Sequence, residues 1–309
     1  MRFLFVDRIC ALEKGKRVRA IKNISGDEGF LAEIFPGLPV LSPVIAAEAA
    51  AQALSWLIVE ARDFAVKPLI TVLDEYVCHK HVQPGDQIAM EGEVESFQRE
   101  SALAHARILI NETPAIEINH GVCYLFPLSA LQDPADAQRQ FQHLCEKPFL
   151  TAPAAAQRSP LVREGAAPNL RDSGIDRIIF YEERQRIVGI KNITTTADYF
   201  NDHFPRKPLL PGVVIMDALI GCARILINRA LTAHGWEQMQ AVLVRAHKVK
   251  FRRFVQPGDQ LVVQVQMGEF TEQQSMVHAK ALVHDKVAAT LAAEFCHLDR
   301  DTYLKTFLS

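Results

Sequence analysis

The chain contains the same segment twice, and this duplication limits the folds that its 309 residues can adopt. Residues 34–49 read IFPGLPVLSPVIAAEA, and residues 203–218, which start 169 positions later, read HFPRKPLLPGVVIMDA. Residues 7–24 and 176–193 have the same spacing and are identical at nine of 18 positions. A period this long indicates a duplicated domain rather than a solenoid of short repeats. We therefore predict two similar domains that pack against each other.

The two copies are separated by a segment without the alternation of a strand. Residues 129–168 are rich in Ala, Pro, Gln and Arg, which predicts a linker that crosses the surface. The predicted organisation is a first domain over residues 1–128, a linker over 129–168 and a second domain over 169–309. The sequence QPGDQ recurs at 83–87 and 256–260, and its central Pro-Gly pair is typical of a type II turn.

Each copy has the same predicted order of elements. Two strands come first, over 3–12 and 17–24 in one copy and over 176–183 and 186–193 in the other. A helix that is apolar on almost every side follows, over 44–61 and 213–230, and β-rich runs close each domain. Such a helix must be buried all round, and an antiparallel sheet wrapped around it is the simplest way to bury it. We predict an α+β fold built from two such units.

The composition excludes several classes of protein. A net charge of −2 gives the whole chain no electrostatic attraction to nucleic acid. The six cysteines form no C-x-x-C pair and no cluster at metal spacing, which favours reduced thiols in a cytoplasmic protein. Charges interrupt the N-terminal apolar run, so a secretory signal is not expected, and no uninterrupted apolar run is long enough to predict a membrane span.

Two motifs in the second copy carry a family resemblance. H-F-P-x-x-P-x-x-P-G-V followed by an acid covers residues 203–217, and F-R-R-x-V-x-P-G-D covers residues 251–259. With these motifs the chain resembles the hotdog fold, and specifically the bacterial β-hydroxyacyl-acyl-carrier-protein dehydratases. The resemblance covers nearly all of the chain outside the linker. It implies two fused hotdog domains, each an antiparallel sheet around a central apolar helix, packed as a pseudo-dimer.

The resemblance also implies one composite active site. In the family, the histidine comes from one subunit and the helix acid from the other, which corresponds here to His203 and Glu48. The reciprocal pair would be Ile34 and Asp217, which lacks an imidazole, so Asp217 is at most a secondary site residue and otherwise a structural relic of the duplication. Gly212 is the candidate donor to the thioester oxygen, whereas the first copy has a proline at this position, which has no N–H.

These residue types suit the elimination of water from a 3-hydroxyacyl thioester. An imidazole can take the Cα proton, and a buried carboxyl can keep a proton for the departing hydroxyl. A helix N-terminus can stabilise the enolate oxygen. Each residue also has a structural explanation: His203 as a surface or capping residue, Glu48 as the partner of a base, and Gly212 as relief of crowding at a helix start.

We predict dehydration of (3R)-hydroxyacyl thioesters to trans-2-enoyl thioesters in fatty-acid or polyketide-type biosynthesis. The substrate would be bound to acyl carrier protein or CoA and would bring its own phosphopantetheine, so no cofactor and no metal are expected. The alternatives are a hotdog thioesterase, an enoyl-CoA hydratase and a non-catalytic acyl-binding partner in a multienzyme synthase. Further association of the pseudo-dimers into a homo-oligomer is compatible with the sequence.

A short basic stretch could bind the acyl carrier protein. Its members are Arg245, Lys248, Lys250, Arg252 and Arg253. They could dock an acidic carrier protein or the phosphates of a pantetheine arm, while the structural explanation is a solvated strand face. The stretch is too short, and has too few interleaved aromatic residues, to predict binding of nucleic acid.

Overall fold

The computed structural model describes residues 3–26, 28–146 and 174–308. The first copy contains β1 (Arg8–Glu13), β2 (Arg17–Asn23), β3 (Leu31–Glu33), β4 (Pro39–Leu41), α1 (Pro43–Ala61), β5 (Val66–Cys78), β6 (Gln87–Phe97), β7 (Ser101–Ile110), β8 (Thr113–Pro127) and α2 (Pro134–Glu146). The second contains β9 (Arg177–Glu182), β10 (Arg186–Asn192), α3 (Gly212–Ala233), β11 (Gln240–Phe251), β12 (Gln260–Phe270), β13 (Gln274–Val283), β14 (Lys286–Leu298) and α4 (Arg300–Phe307). Short 3-10 helices cover Leu128–Ala130 and Asp198–Asn201.

Twelve of the described strands form one antiparallel sheet. Their order is β1-β2-β6-β7-β8-β5-β11-β14-β13-β12-β10-β9, so each copy contributes six adjacent strands. The two halves meet where β5 pairs with β11, with Val77 opposite Arg245 and Val72 opposite Lys250. Helix α1 packs on the first half, α3 packs on the second, and the two helices contact each other. The predicted α+β architecture of two fused hotdog units is therefore confirmed.

The two long helices are buried because apolar residues occupy nearly every face. Most residues of α1 and α3 are buried, and both helices contribute to the same hydrophobic core. By length and composition alone α1 could also cross a bilayer, which the sequence reading did not anticipate, but 72% of its most apolar window is buried inside the protein. That burial is the environment of a core helix. Pro43 and Gly212 are the first residues of these helices, each one position before the predicted range.

The predicted Pro-Gly turns are confirmed in both copies. Gly85 and Gly258 have φ angles of 96° and 95°, a conformation that glycine adopts without a steric penalty. In the first copy the N–H of Asp86 donates to the carbonyl of Gln83 at 3.1 Å, which closes the four-residue turn. In the second copy, β13 and β14 pair as an antiparallel hairpin.

Two sequence predictions differ from the structure. The first strand begins at Arg8 rather than at Phe3, because the N–H groups of Phe3 and Phe5 donate to the side chains of Asp202 and Gln52 instead of a neighbouring strand. The start of the predicted linker is helical, because Phe141 of α2 packs against aromatic rings of the first domain. Residues 147–168 of that linker lie outside the described residues.

Candidate active site

A large cavity brings side chains from both copies together. Its volume is about 1140 Å³, and its walls include α1, the start of α3, β5 and the loop before α3. His203 and Gly212 from the second copy and Glu48 from the first all line it. The face of α1 toward the cavity is largely apolar; it consists of Val44, Ala47, Ala51, Leu54 and Ile58, with Glu48, Gln52 and Ser55 interspersed. Such a cavity suits a long apolar ligand with one polar reacting end.

His203 is held in one tautomer by its own loop. Its Nδ1 lies 2.9 Å from the carbonyl oxygen of Leu209, and the N–H of Leu209 donates to the carbonyl of His203 at 3.1 Å. Because a carbonyl only accepts hydrogen bonds, Nδ1 carries the proton and Nε2 has a free lone pair. Burial lowers the pKa of His203 to about 4, and the hydrogen bond to Leu209 opposes this change. The imidazole is therefore neutral near pH 7 and able to accept a proton.

The pKa of Glu48 is shifted in the opposite direction, upward. Glu48 lies in the second turn of α1, where burial raises its pKa to about 7, against a hydrogen bond from Gln52 and the positive charge of Lys67, which both lower it. The Nε2 of Gln52 donates to Oε1 of Glu48 at 2.9 Å. A large fraction of the Glu48 side chains therefore keeps a proton near neutral pH, as a general acid requires.

Gly212 lies at the first position of α3, so its N–H has no acceptor within the helix. The helix dipole adds positive potential at this end, which suits an anionic oxygen. Gly212 also satisfies the structural explanation, because an added Cβ would lie 3.2 Å from the ring of Phe251. The two explanations are compatible, since the same lack of a side chain opens the helix N-terminus toward the cavity.

The N-terminal segment contacts both the loop that carries His203 and the helix that carries Glu48. The N–H of Phe3 donates to Oδ2 of Asp202 at 2.8 Å, and its carbonyl accepts from Nε2 of Gln52 at 3.1 Å. The Phe3 ring packs edge-on against that of His203, with 5.9 Å between centroids. Gln52 in turn bonds to Glu48. Phe3 thus links the residue before His203 to the helix that carries Glu48. The sequence analysis predicted a role for neither Phe3 nor Gln52, although Gln52 could have been found because it lies four residues after Glu48.

Asp217 lies apart from this cavity. Together with Ile34 and Pro43 it lines a second cavity of about 30 Å³, and its Oδ1 accepts a hydrogen bond from Oγ of Ser42 at 2.5 Å. Ile34 is buried there. The structure therefore groups the residues of the reciprocal half-site as the sequence analysis paired them, but in a space too small for an acyl chain.

The surroundings of the two half-sites also differ at the surface. Phe254 follows the Arg252–Arg253 pair, lines the large cavity and is 52% exposed. Its counterpart in the first copy, 173 residues earlier, is His81, which is only 1% exposed. The Nδ1 of His81 lies 2.7 Å from the hydroxyl of Tyr303, and its ring packs on Phe307. Helix α4 thus covers this position in the first copy, whereas Phe254 at the equivalent position of the second copy stays exposed.

The basic stretch divides into two groups. Arg252 and Arg253 are exposed and line the cavity near Phe254. Arg245, Lys248 and Lys250 are exposed along β11 and do not line it, and Arg245 forms an ion pair of 3.5 Å with Glu75. Only the first group therefore lies where the cavity opens. In the described ranges, no three His, Cys, Asp or Glu side chains are grouped as metal ligands would be.

The family model of the FabA-like domain matches the chain twice, over residues 1–119 and 173–292. Among curated relatives, the 3-hydroxyacyl-[acyl-carrier-protein] dehydratase FabZ of Alkalilimnicola ehrlichii is 36% identical over 115 residues, which are 37% of this chain and 74% of that protein. The FabZ of Caldanaerobacter subterraneus is 36% identical over 123 residues, which are 39% of this chain and 84% of the relative.

Solved structures support the fold. An acyl-ACP thioesterase from Bacteroides thetaiotaomicron superposes with a TM-score of 0.51 at 11% identity, over 90% of this chain and 97% of that one. A MaoC-like dehydratase superposes with a TM-score of 0.53 at 13% identity, over 83% of each chain. At these identities the likeness shows a shared double-hotdog fold and leaves the reaction to be argued from the site.

Proposed function

The chain belongs to the FabA-like domain family, and we propose that it dehydrates 3-hydroxyacyl thioesters at the cavity shared by His203 and Glu48. It is a hydro-lyase, like its dehydratase relatives. We further propose a (3R)-hydroxyacyl substrate on acyl carrier protein, a trans-2-enoyl product, and a role in fatty-acid or polyketide-type biosynthesis in the cytoplasm. The single observation that supports this reaction best is a neutral imidazole and a partly protonated carboxyl that line the same cavity.

The proposed reaction moves two protons. Nε2 of His203 takes the proton from Cα, and the electrons of the C–H bond form the Cα–Cβ double bond. The Cβ–O bond breaks, and the departing hydroxyl leaves as water with the proton of Glu48. The N–H of Gly212 donates to the thioester oxygen while negative charge develops there. A proton then passes from the imidazolium to the carboxylate, which restores both groups without a cofactor.

The open side of the cavity fits a carrier-borne substrate. Arg252 and Arg253 are positively charged and exposed where the cavity opens, and phosphate or acidic side chains would be attracted to them. We propose that these two arginines dock the carrier or its phosphopantetheine arm. Arg245, Lys248 and Lys250 would contribute only through longer-range attraction.

Three variants test the composite site. We expect His203→Ala and Glu48→Gln each to lower kcat by about 10²- to 10⁴-fold, the usual contribution of one general acid or base. Asp217→Asn should keep most of the activity, because it lies in the separate cavity. The assay is mass spectrometry of the acyl chain on a 3-hydroxyacyl carrier protein, which detects the loss of water.

Three outcomes would contradict the proposal. If Asp217→Asn abolishes turnover while Glu48→Gln does not, the pairing across the two copies is wrong. If the wild-type protein releases a free thiol and a 3-hydroxy acid instead of an enoyl thioester, it is a thioesterase. A wild-type protein that binds the acyl carrier without either reaction would be a non-catalytic partner.

A further inference from the structure

One ionisable side chain in the cavity has no part in the reaction described so far. Lys67 is the second residue of β5, and it lines the same cavity as His203 and Glu48. Its Nζ lies 5.1 Å from the centroid of the Trp56 ring, which offers a cation only partial compensation for lost hydration. Within the described ranges, the side chain takes part in no ion pair or hydrogen bond.

The charge of Lys67 acts on both candidate catalytic groups. It lowers the pKa of Glu48 and the pKa of His203, in each case as a smaller effect than burial. Burial lowers the pKa of Lys67 to about 8, and the negative charge of Glu48 opposes this change. The ammonium is therefore still mostly protonated at pH 7, and it lines the same cavity as both groups.

We propose that Lys67 is a positioning residue for the dehydration: its ammonium stabilises the carboxylate that Glu48 becomes when it gives its proton to the departing hydroxyl. This role rests on the proposed function. Glu48 is neutral before the proton leaves and negative afterwards, so a nearby cation favours the later state. The same cation disfavours the imidazolium that forms on His203, so its net effect on the rate is smaller than its effect on Glu48 alone. Lys67 needs no contact with the substrate to have either effect.

The other charged groups along the cavity do not replace Lys67. Besides Glu48, four acids line it, and each has a partner of its own. Asp133 pairs with Arg206 and Asp136 with Arg139, Asp202 accepts from the N–H of Phe3, and Oδ1 of Asp259 lies 3.2 Å from Nε2 of His284. The remaining cations near the opening are Arg252, Arg253 and Lys286. Lys67 is the cation whose charge affects both Glu48 and His203. A change at position 67 should therefore appear in the titration of both groups.

The test compares Lys67→Met, which removes the charge at similar length, with Lys67→Arg, which keeps it. Lys280→Met is the matched control, because Lys280 is exposed on β13 and does not line the cavity. Two measurements are made on each protein. The first is a substrate-free ¹³C NMR titration of the Glu48 carboxyl, assigned with Glu48→Gln. The second is the pH profile of kcat and kcat/KM for the 3-hydroxyacyl carrier protein.

In Lys67→Met we expect the pKa of Glu48 to rise by about 1 unit, the lower end of the effect of a close opposite charge. The acidic and basic limbs of kcat/KM should both move to higher pH, because the pKa of His203 rises as well. The maximum of kcat should fall by up to about tenfold, the factor that one pKa unit represents. Lys67→Arg and Lys280→Met should resemble the wild-type protein.

Lys67 has no such role if Lys67→Met leaves the Glu48 titration and both limbs unchanged, or if Lys67→Arg behaves like Lys67→Met. The NMR titration needs no turnover, so its failure is distinguishable from a failure of the proposed function. If the wild-type protein forms no enoyl product while the titration shifts as expected, the dehydratase function and the role of Lys67 in it are both overturned, although the two side chains are coupled.

Discussion

Replacing Glu48 by glutamine should make the protein more stable at alkaline pH while it removes activity. Burial raises the pKa of this carboxyl from 4.5 to about 7, so ionisation of the folded protein is unfavourable. A rise of about 2.5 units corresponds to about 3 kcal/mol, because each unit is worth about 1.4 kcal/mol. Glutamine has nearly the same shape, keeps an oxygen acceptor for Gln52 and cannot ionise.

The sign of the effect follows from the two pKa values. Below pH 4.5 the carboxyl is protonated in both the folded and the unfolded chain, so the variant gains nothing. As the pH rises from 4.5 to 7, the unfolded chain loses its proton first, and the wild-type protein loses stability relative to the variant. Above about pH 7 the difference levels off, and we expect Glu48→Gln to exceed the wild-type free energy of unfolding by at most about 3 kcal/mol.

Urea denaturation between pH 4 and pH 9, followed by circular dichroism, measures this difference. Glu237→Gln is the control, because Glu237 is exposed in the loop after α3. The control should show no comparable trend with pH. A stability difference for Glu48→Gln that is constant with pH, or that shrinks as the pH rises, would refute the placement of Glu48 as a desolvated acid. A general acid that destabilises its own fold is a recurrent compromise between activity and stability.

Two further predictions concern the substrate. Arg252→Glu combined with Arg253→Glu should raise KM for a carrier-protein substrate by about tenfold or more and leave KM for a short pantetheine thioester nearly unchanged. The control Lys250→Glu should have a small effect on either KM. Steady-state kinetics with both substrates measure these changes. Gly212→Ala should lower kcat by about tenfold or more with a smaller change in KM. The reason is that the new Cβ would lie 3.2 Å from the Phe251 ring and shift the helix N-terminus. An unchanged kcat would remove Gly212 from the proposed mechanism.

The fold could be predicted from the sequence because its main signals are local or repeated. An apolar helix without a polar face, alternating strands and the Pro-Gly turns at Gly85 and Gly258 appear twice in one order. The helix α2 escaped prediction because its mean hydropathy is low, and only the contact of Phe141 with the first domain shows why it packs there. The start of β1 was wrong because side chains remote in sequence take up the N–H groups of Phe3 and Phe5.

Part of the candidate site could also be predicted, because three of its residues carry a sequence signal. His203, Glu48 and Gly212 stand in a motif, so their spacing alone made them candidates, and the cavity brings all three together. Lys67 stands in no motif, and a lysine at the start of a strand is usually exposed. Its relevance depends on which way the side chain points and on the distance across the fold to Glu48 and His203. Neither quantity can be read from a pattern of residue types.

The residues of the reciprocal half-site make contacts that stabilise the fold. At the reciprocal position Ile34 replaces an imidazole with buried apolar surface, and the Asp217 carboxylate accepts a hydrogen bond from Ser42. Tyr303 packs against the buried His81 of the first copy and bonds to it. Each contact stabilises the fold in a way that an open, water-filled site could not, because it removes apolar area from water or pairs a buried polar group. In the large cavity, by contrast, burial disfavours the charged forms of Glu48 and His203. The energetic cost of desolvating a carboxyl and an imidazole is therefore confined to the larger of the two cavities.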